Sequence, residues 1–273
     1  MISHRYRCIF VHQRKSAGTT VKALFDDVGP EDRGRFNDGI LSPDWDPERP
    51  PVSDHFAFTV IRNPWDRFVS GWKYCKTTKH RDILDVLANL PRRRLIDTVL
   101  ARRASWPARI ESARELGRQA KDEAKHAVRA TLGRADKRPK RPGHDYRHLT
   151  QMQRATVVWP DGRLAVDRVV FLEDLDAGLA EVFAAIGKPY AAPPRERARR
   201  RGDDYRRHFD DPRARALFDA AFGADVACWG YDFDSGLPDF ARFAGAGRGA
   251  PVAAPIPPAA DGRPPRDRQA SRQ

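Results

Sequence analysis

The 273 residues are enough to bury one sizeable core, with room for an extra arm but hardly for a second full domain. Forty per cent of the chain is hydrophobic and about a third is charged, as in soluble globular enzymes, and no apolar run approaches the eighteen residues of a membrane-spanning helix. The net charge of +13 favours anionic partners, while three cysteines far apart in sequence (Cys8, Cys75, Cys228) suggest neither a disulfide framework nor a zinc site and make a cytoplasmic location the default.

In chain order, residues 6–11 are predicted as a buried strand through Cys8, Ile9, Phe10 and Val11. That run is too short for the hydrophobic region of a signal peptide, and it ends in a polar motif. Over residues 18–28, Val21, Leu24, Phe25 and Val28 follow a helical stripe, with Gly29 placed to stop it. Residues 30–54, rich in Pro, Asp and Gly, are predicted as a long loop. Phe56–Ile61 is a second apolar, β-rich run. It is bounded by Arg62, Asn63 and Pro64, where Asn63 can cap a helix that has Pro64 in its first turn and Asp66 near its positive end. Phe68, Val69 and Trp72 give that helix a buried face, with Arg67 and Ser70 on another side.

Residues 92–132 have a helical pattern that becomes poor in apolar residues from Glu111 on, as expected of a segment projecting into solvent. Between Arg92 and Arg147 there are seventeen Lys or Arg against seven Asp or Glu, so most of the excess charge lies in this stretch. It has two readings: a solvated helical arm, or a grip for an anionic acceptor. Residues 133–145 are predicted as a mobile basic loop. Residues 168–172 form a third strand ending in Glu173 and Asp174, followed by a helix through Leu175, Leu179, Val182, Phe183 and Ile186. Asp211 and Pro212 start a last helix. From Ala241 on, Pro, Gly, Ala and Arg dominate, and residues 241–273 are predicted to be a disordered tail after a single domain over 1–240. The strand–helix alternation points to an α/β fold, a central parallel sheet covered by helices, with ligands at the carboxyl ends of the strands.

Two motifs sit at such ends. The first is His12-Gln13-Arg14-Lys15-Ser16-Ala17-Gly18-Thr19-Thr20, a polar strand-to-helix turn. Its amides, hydroxyls and lysine suit a phosphate, but its lysine precedes the glycine instead of following it as in the common nucleotide triphosphatase loop. The second is Arg62-Asn63-Pro64-Trp65-Asp66-Arg67-Phe68-Val69-Ser70, in which Arg62 and Ser70 can converge on one phosphate.

Together the two motifs resemble the signatures for 3′-phosphoadenosine 5′-phosphosulfate (PAPS) in the carbohydrate sulfotransferases. Val169-Val170-Phe171-Leu172-Glu173-Asp174-Leu175 is similar to that family's late strand and acidic turn. Tyr205-Arg206-Arg207-His208-Phe209, Asp225 and Gly230-Tyr231-Asp232-Phe233 are similar to its closing segment. The resemblance spans about residues 5–234, with 92–147 as an insertion. Arg14 stands where the family usually has proline, and Arg62 arrives early, after a short intervening segment that often carries acceptor contacts.

The resemblance implies a P-loop-like fold and in-line transfer of a sulfuryl group, without a metal, to a hydroxyl of a carbohydrate or other acceptor. Lys15 would contact the bridging oxygen and the 5′-phosphate. Ser16, Ala17, Gly18, Thr19 and Thr20 would line the 5′-phosphate site, and Arg62 and Ser70 would bind the 3′-phosphate. His148 leads the candidates for general base. His12, Glu31 and Asp32 remain alternatives, whereas His55 stands at the start of the strand that ends before Arg62, about 23 Å away. The rival functions are a kinase-like phosphotransferase, which would need a metal-binding set and a lysine after the glycine, and a binder of nucleic acid or anionic surfaces. Against the second, the basic stretch has only Trp106 and Tyr146 to stack on bases. High Ala, Arg and Pro content fits a bacterial source, and no membrane anchor is expected.

Overall fold

Short β-rich runs bounded by polar turns pair side by side here, as the sequence pattern leads one to expect. The structure is a computed structural model, described over residues 1–34, 36, 54–75, 78–88, 90, 144–192 and 204–253 and at six single positions between 113 and 128. Strands β2 (Cys8–Val11), β3 (Phe56–Ile61) and β4 (Arg168–Phe171) lie parallel, with Cys8 opposite Phe56 and Phe58 opposite Arg168. A two-residue strand, β1 (Ile2–Ser3), runs antiparallel on the outer side of β2, which gives the order β1-β2-β3-β4.

Alternation along the strands divides the core in two. Phe10, Phe58, Val60 and Val170 face Val21 of α1 (Gly18–Ala23) and Leu179, Val182 and Phe183 of α7 (Leu175–Ala185). Ile9, Val11, Ile61 and Phe171 face the other way. There they meet Trp65 and Phe68 of α3 (Pro64–Tyr74), Val86 of α4 (Ile83–Ala88) and Phe218 and Trp229 of α8 (Pro212–Trp229). The caps follow from local chemistry. The Asn63 side chain accepts from the Asp66 amide at 3.1 Å, and α8 opens on Asp211-Pro212 and closes on Gly230 at φ 66°.

Several sequence expectations change. The first helix stops at Ala23 although Phe25 and Val28 remain buried. The carboxylates of Asp26 and Asp27 are unfavourable at a helix C-terminus, and Asp27 instead accepts from the Ser3 hydroxyl at 2.5 Å. Within the expected loop, Pro30–Arg33 forms one helical turn, α2, with proline at its start; residues 37–53 lie outside the described residues. Helix α5 (His144–Thr150) takes in the end of the expected basic loop, and α6 (Arg154–Val157) follows it. Arg67 is not on an exposed side: it is 1% exposed, with its guanidinium 3.5 Å from the carbonyl oxygens of His148 and Leu149.

Over residues 241–253 the expected disorder is also corrected. Helix α9 (Phe240–Phe243) leads into a strap in which Phe243 and Val252 are buried. The Leu164 amide donates to the Ala250 carbonyl and the Val252 amide to the Gly162 carbonyl, each at 2.9 Å. Two apolar side chains and a few ladder bonds hold a segment whose average composition argues for disorder. Residues 254–273 lie outside the described residues, as does nearly all of 92–143. Within that stretch the described positions Ala113, Gly117, Ala120, Lys121, Ala124 and Val128 are helical and exposed.

Candidate active site

The turn after β2 is built by strain and close packing. Lys15 (φ 67°) and Ala17 (φ 52°) hold left-handed backbone, each at a cost of about 1–3 kcal/mol. Curled turns of this kind bring successive amides to one concave side. A Cβ on Gly18 would lie 1.9 Å from His12 Nε2, so the bare glycine is what leaves the imidazole its place. His12 is thus packing for the turn. Gln13 is buried and donates from its amide to the Thr59 hydroxyl at 3.3 Å and to the Thr156 hydroxyl. Ser16 is fully buried, and its hydroxyl donates to Gln153 Oε1 at 3.3 Å, so it turns inward. Ala17 and Thr20 are half-buried, and Thr19 is exposed on the first turn of α1.

The second motif meets the first directly. Arg62 leaves the end of β3, and its Nη1 donates to the Lys15 carbonyl at 2.8 Å, a contact across 47 residues of sequence. Its Nε donates to Asp66 Oδ2 at 2.9 Å, with only 13% and 10% of the two side chains exposed. Asp66, Ser70 and Tyr74 follow one side of α3 at intervals of four. Tyr74 ends that row, and the Lys15 ammonium lies over its ring, 4.0 Å from the centroid. Lys15 therefore spans the row, with its carbonyl at Arg62 and its ammonium at Tyr74.

Tyr74 also meets the His148 ring at 4.6 Å between centroids, which puts this imidazole, 9% exposed on α5, next to the Lys15 end of the site. The other candidate bases lie elsewhere. His55 precedes β3 and packs against His4 at 5.9 Å, and Asp32 stands 3.4 Å from His4 on the same side of the sheet. Glu31 is exposed in α2. Lys22, half-buried at the end of α1, has its pKa drawn down to about 8 by burial, with help from Arg33 and Arg14.

The supporting polar groups escaped the sequence reading of the site. Glu173 accepts from the Asn63 amide at 3.0 Å and from the Tyr231 hydroxyl at 2.7 Å, which ties the ends of β3 and β4 together. Burial raises the Glu173 pKa, against the lowering effect of those two bonds. The Asn63 side-chain amide donates to the Gly236 carbonyl at 3.1 Å. Gln153 and Gln13 carry no local signal beyond being polar residues in or beside apolar runs, because their partners are distant in sequence. Among the described residues no group of three or more His, Cys, Asp or Glu is placed to hold a metal ion. No helix among them is long and apolar enough to cross a membrane.

The family model described as "Sulfotransferase family" matches residues 1–199, nearly three-quarters of the chain. The chain belongs to the sulfotransferase family. The match takes in both motifs, His148, Gln153 and Glu173 of this sulfotransferase, while Tyr205, Asp225 and Tyr231 lie beyond it. No curated protein and no solved structure matches the chain at the significance required.

Proposed function

We propose that this sulfotransferase takes PAPS as donor and a hydroxyl of a carbohydrate or glycolipid as acceptor. The observation that carries the donor reading is the meeting of the two motifs: Arg62 bonds the Lys15 carbonyl, and the Lys15 ammonium lies over Tyr74, which ends the helix row of Asp66 and Ser70. The residues present fit such a donor. Left-handed backbone at Lys15 and Ala17, a glycine packed against the His12 ring, two threonines and two cations form a set of donors for anionic oxygens. PAPS, when bound, would supply the sulfuryl group and a phosphate leaving group.

Lys15 would stabilise negative charge on the leaving side. Ala17, Gly18, Thr19 and Thr20 would hold the 5′-phosphate, with Ser16 supporting the turn from within. Arg62, oriented by Asp66, and Ser70 would hold the 3′-phosphate. His148, beside Tyr74 and Lys15, would accept the proton of the acceptor hydroxyl. A sulfuryl group carries less charge than a phosphoryl group, so we expect transfer to need no metal clamp. The surplus of basic residues over 92–147 favours an anionic acceptor. A cytoplasmic, bacterial setting is part of the same reading. Membership of the family favours sulfuryl transfer over the kinase and nucleic-acid readings.

The test is calorimetry with 3′-phosphoadenosine 5′-phosphate (PAP), 5′-AMP alongside, and excess chelator present. We expect micromolar binding of PAP that 5′-AMP does not reproduce, and about tenfold or greater weakening in Arg62→Ala from loss of a charge-assisted contact. Equal binding of PAP and 5′-AMP, or dependence on a divalent ion, would overturn the reading.

A further inference from the structure

Gln153 is fully buried although it stands just before the short helix α6, outside both phosphate-binding motifs. Its side-chain amide is divided between them. Oε1 accepts from the Ser16 hydroxyl at 3.3 Å and from the Arg62 backbone amide at 3.0 Å, while Nε2 donates to the Arg62 carbonyl at 2.8 Å. Gln153 is itself anchored from behind. Its backbone amide donates to Asp225 Oδ2 at 2.9 Å, the Arg154 amide to Oδ1 at 2.7 Å, and Trp229 Nε1 to the same Oδ1 at 3.3 Å. A chain of hydrogen bonds thus runs from the C-terminal end of α8 through one side-chain amide to the turn after β2 and to the end of β3.

We propose that Gln153 is a positioning residue that sets the span between the 5′-phosphate and 3′-phosphate subsites, and so the preference for nucleotides carrying both phosphates. The inference rests on the donor reading given above. A primary amide both donates and accepts in one plane, so it can grip the N–H and the C=O of Arg62 at once, which fixes the direction in which that residue leaves the strand. The same oxygen fixes Ser16, and with it the turn that carries Lys15. A nucleotide with phosphates on two positions of its ribose is a bivalent ligand. Its second contact adds affinity only while the two subsites stand at the ligand's own spacing. Loosening the span should therefore penalise the two-phosphate ligand and spare ligands that use one subsite.

The experiment measures Kd for PAP, 5′-AMP and 3′-AMP by calorimetry on the full chain, its Gln153→Met variant and its Ser16→Ala variant, with thermal melts alongside. Gln153→Met keeps volume and removes every side-chain bond to both segments. Ser16→Ala removes only one hydroxyl and stands in if the first variant does not fold. We expect the Kd for PAP to rise about tenfold in Gln153→Met and about threefold in Ser16→Ala, with both monophosphates changing less than about twofold. A PAP affinity that stays at the wild-type value, or all three ligands weakening together, would overturn the inference while leaving the donor reading intact. Equal affinity of the wild-type chain for PAP and 5′-AMP would overturn the donor reading, and the inference with it.

Discussion

Lys22 stands three residues after Thr19, in the last turn of α1. Burial lowers its pKa to about 8, and Arg33 and Arg14 press in the same direction. An unfolded lysine holds its proton to about pH 10.4. Between those two values the unfolded chain binds more protons than the folded one, so folding stability rises with pH across that window. Below it both states are charged, and the penalty for burying the ammonium is constant. In Lys22→Met the rise should be smaller than in the wild type when urea unfolding is compared at about pH 7.5 and about pH 9.5. An equal rise in both proteins would show that Lys22 is solvated in the folded state. The same residue was not legible as special in the sequence, where it is one of 50 cations and its neighbours come from other segments. Arg67 went unread for a similar reason. Its helix position suggested a polar side, and the carbonyls that receive it come from residues 81 and 82 positions away. Asn63, Pro64, Asp211 and Pro212 were legible because capping is decided within a few residues.

At the scale of elements, α3 and α5 approach each other across Gly71. A Cβ on that residue would lie 2.4 Å from the His148 carbonyl oxygen, a backbone atom that cannot swing aside. Gly71→Ala should therefore push α5 outward, strain the Arg67 bonds to His148 and Leu149, and cost about 1–3 kcal/mol as an overpacked contact. Because α5 carries His148, kcat should fall while the Kd for PAP stays near the wild-type value. A melt and a kinetic assay check both halves, and an unchanged melting temperature would mean that the two helices separate without cost. The three parallel strands and helices α1, α3, α7 and α8 could be placed from apolar runs and spacing, the strands being buried on both faces and these helices on one. The lengths of α1 and α2 could not. The first depends on a carboxylate drawn to Ser3, and the second on a single turn begun by Pro30.

For the molecule as a whole, the strap after α9 closes the sheet's second core. Phe243 and Val252 are 5% and 2% exposed, and Arg248 bonds Asp167 at 2.7 Å and the His55 carbonyl at 2.9 Å. Burial of each apolar side chain contributes roughly 1.5–3 kcal/mol. A chain ended at Asp239 should lose about 3 kcal/mol or more in denaturant unfolding, with a lower midpoint. An unchanged midpoint would show that the strap rests on the core without stabilising it. This part of the fold was hidden by averaging: one phenylalanine and one valine decide it within a stretch rich in glycine, alanine and proline.

The bond from the Asn63 side chain to the Gly236 carbonyl has a consequence for biosynthesis. Both phosphate-binding segments leave the ribosome early, the second of them ending at Ser70. The carbonyl that holds Asn63, the tyrosine that engages Glu173 and the aspartate behind Gln153 all come from the last quarter. Until those later residues appear, a nascent chain therefore carries the parts of the donor site without the contacts that fix them. The site is completed only once α8 and the residues just after it have emerged and folded back.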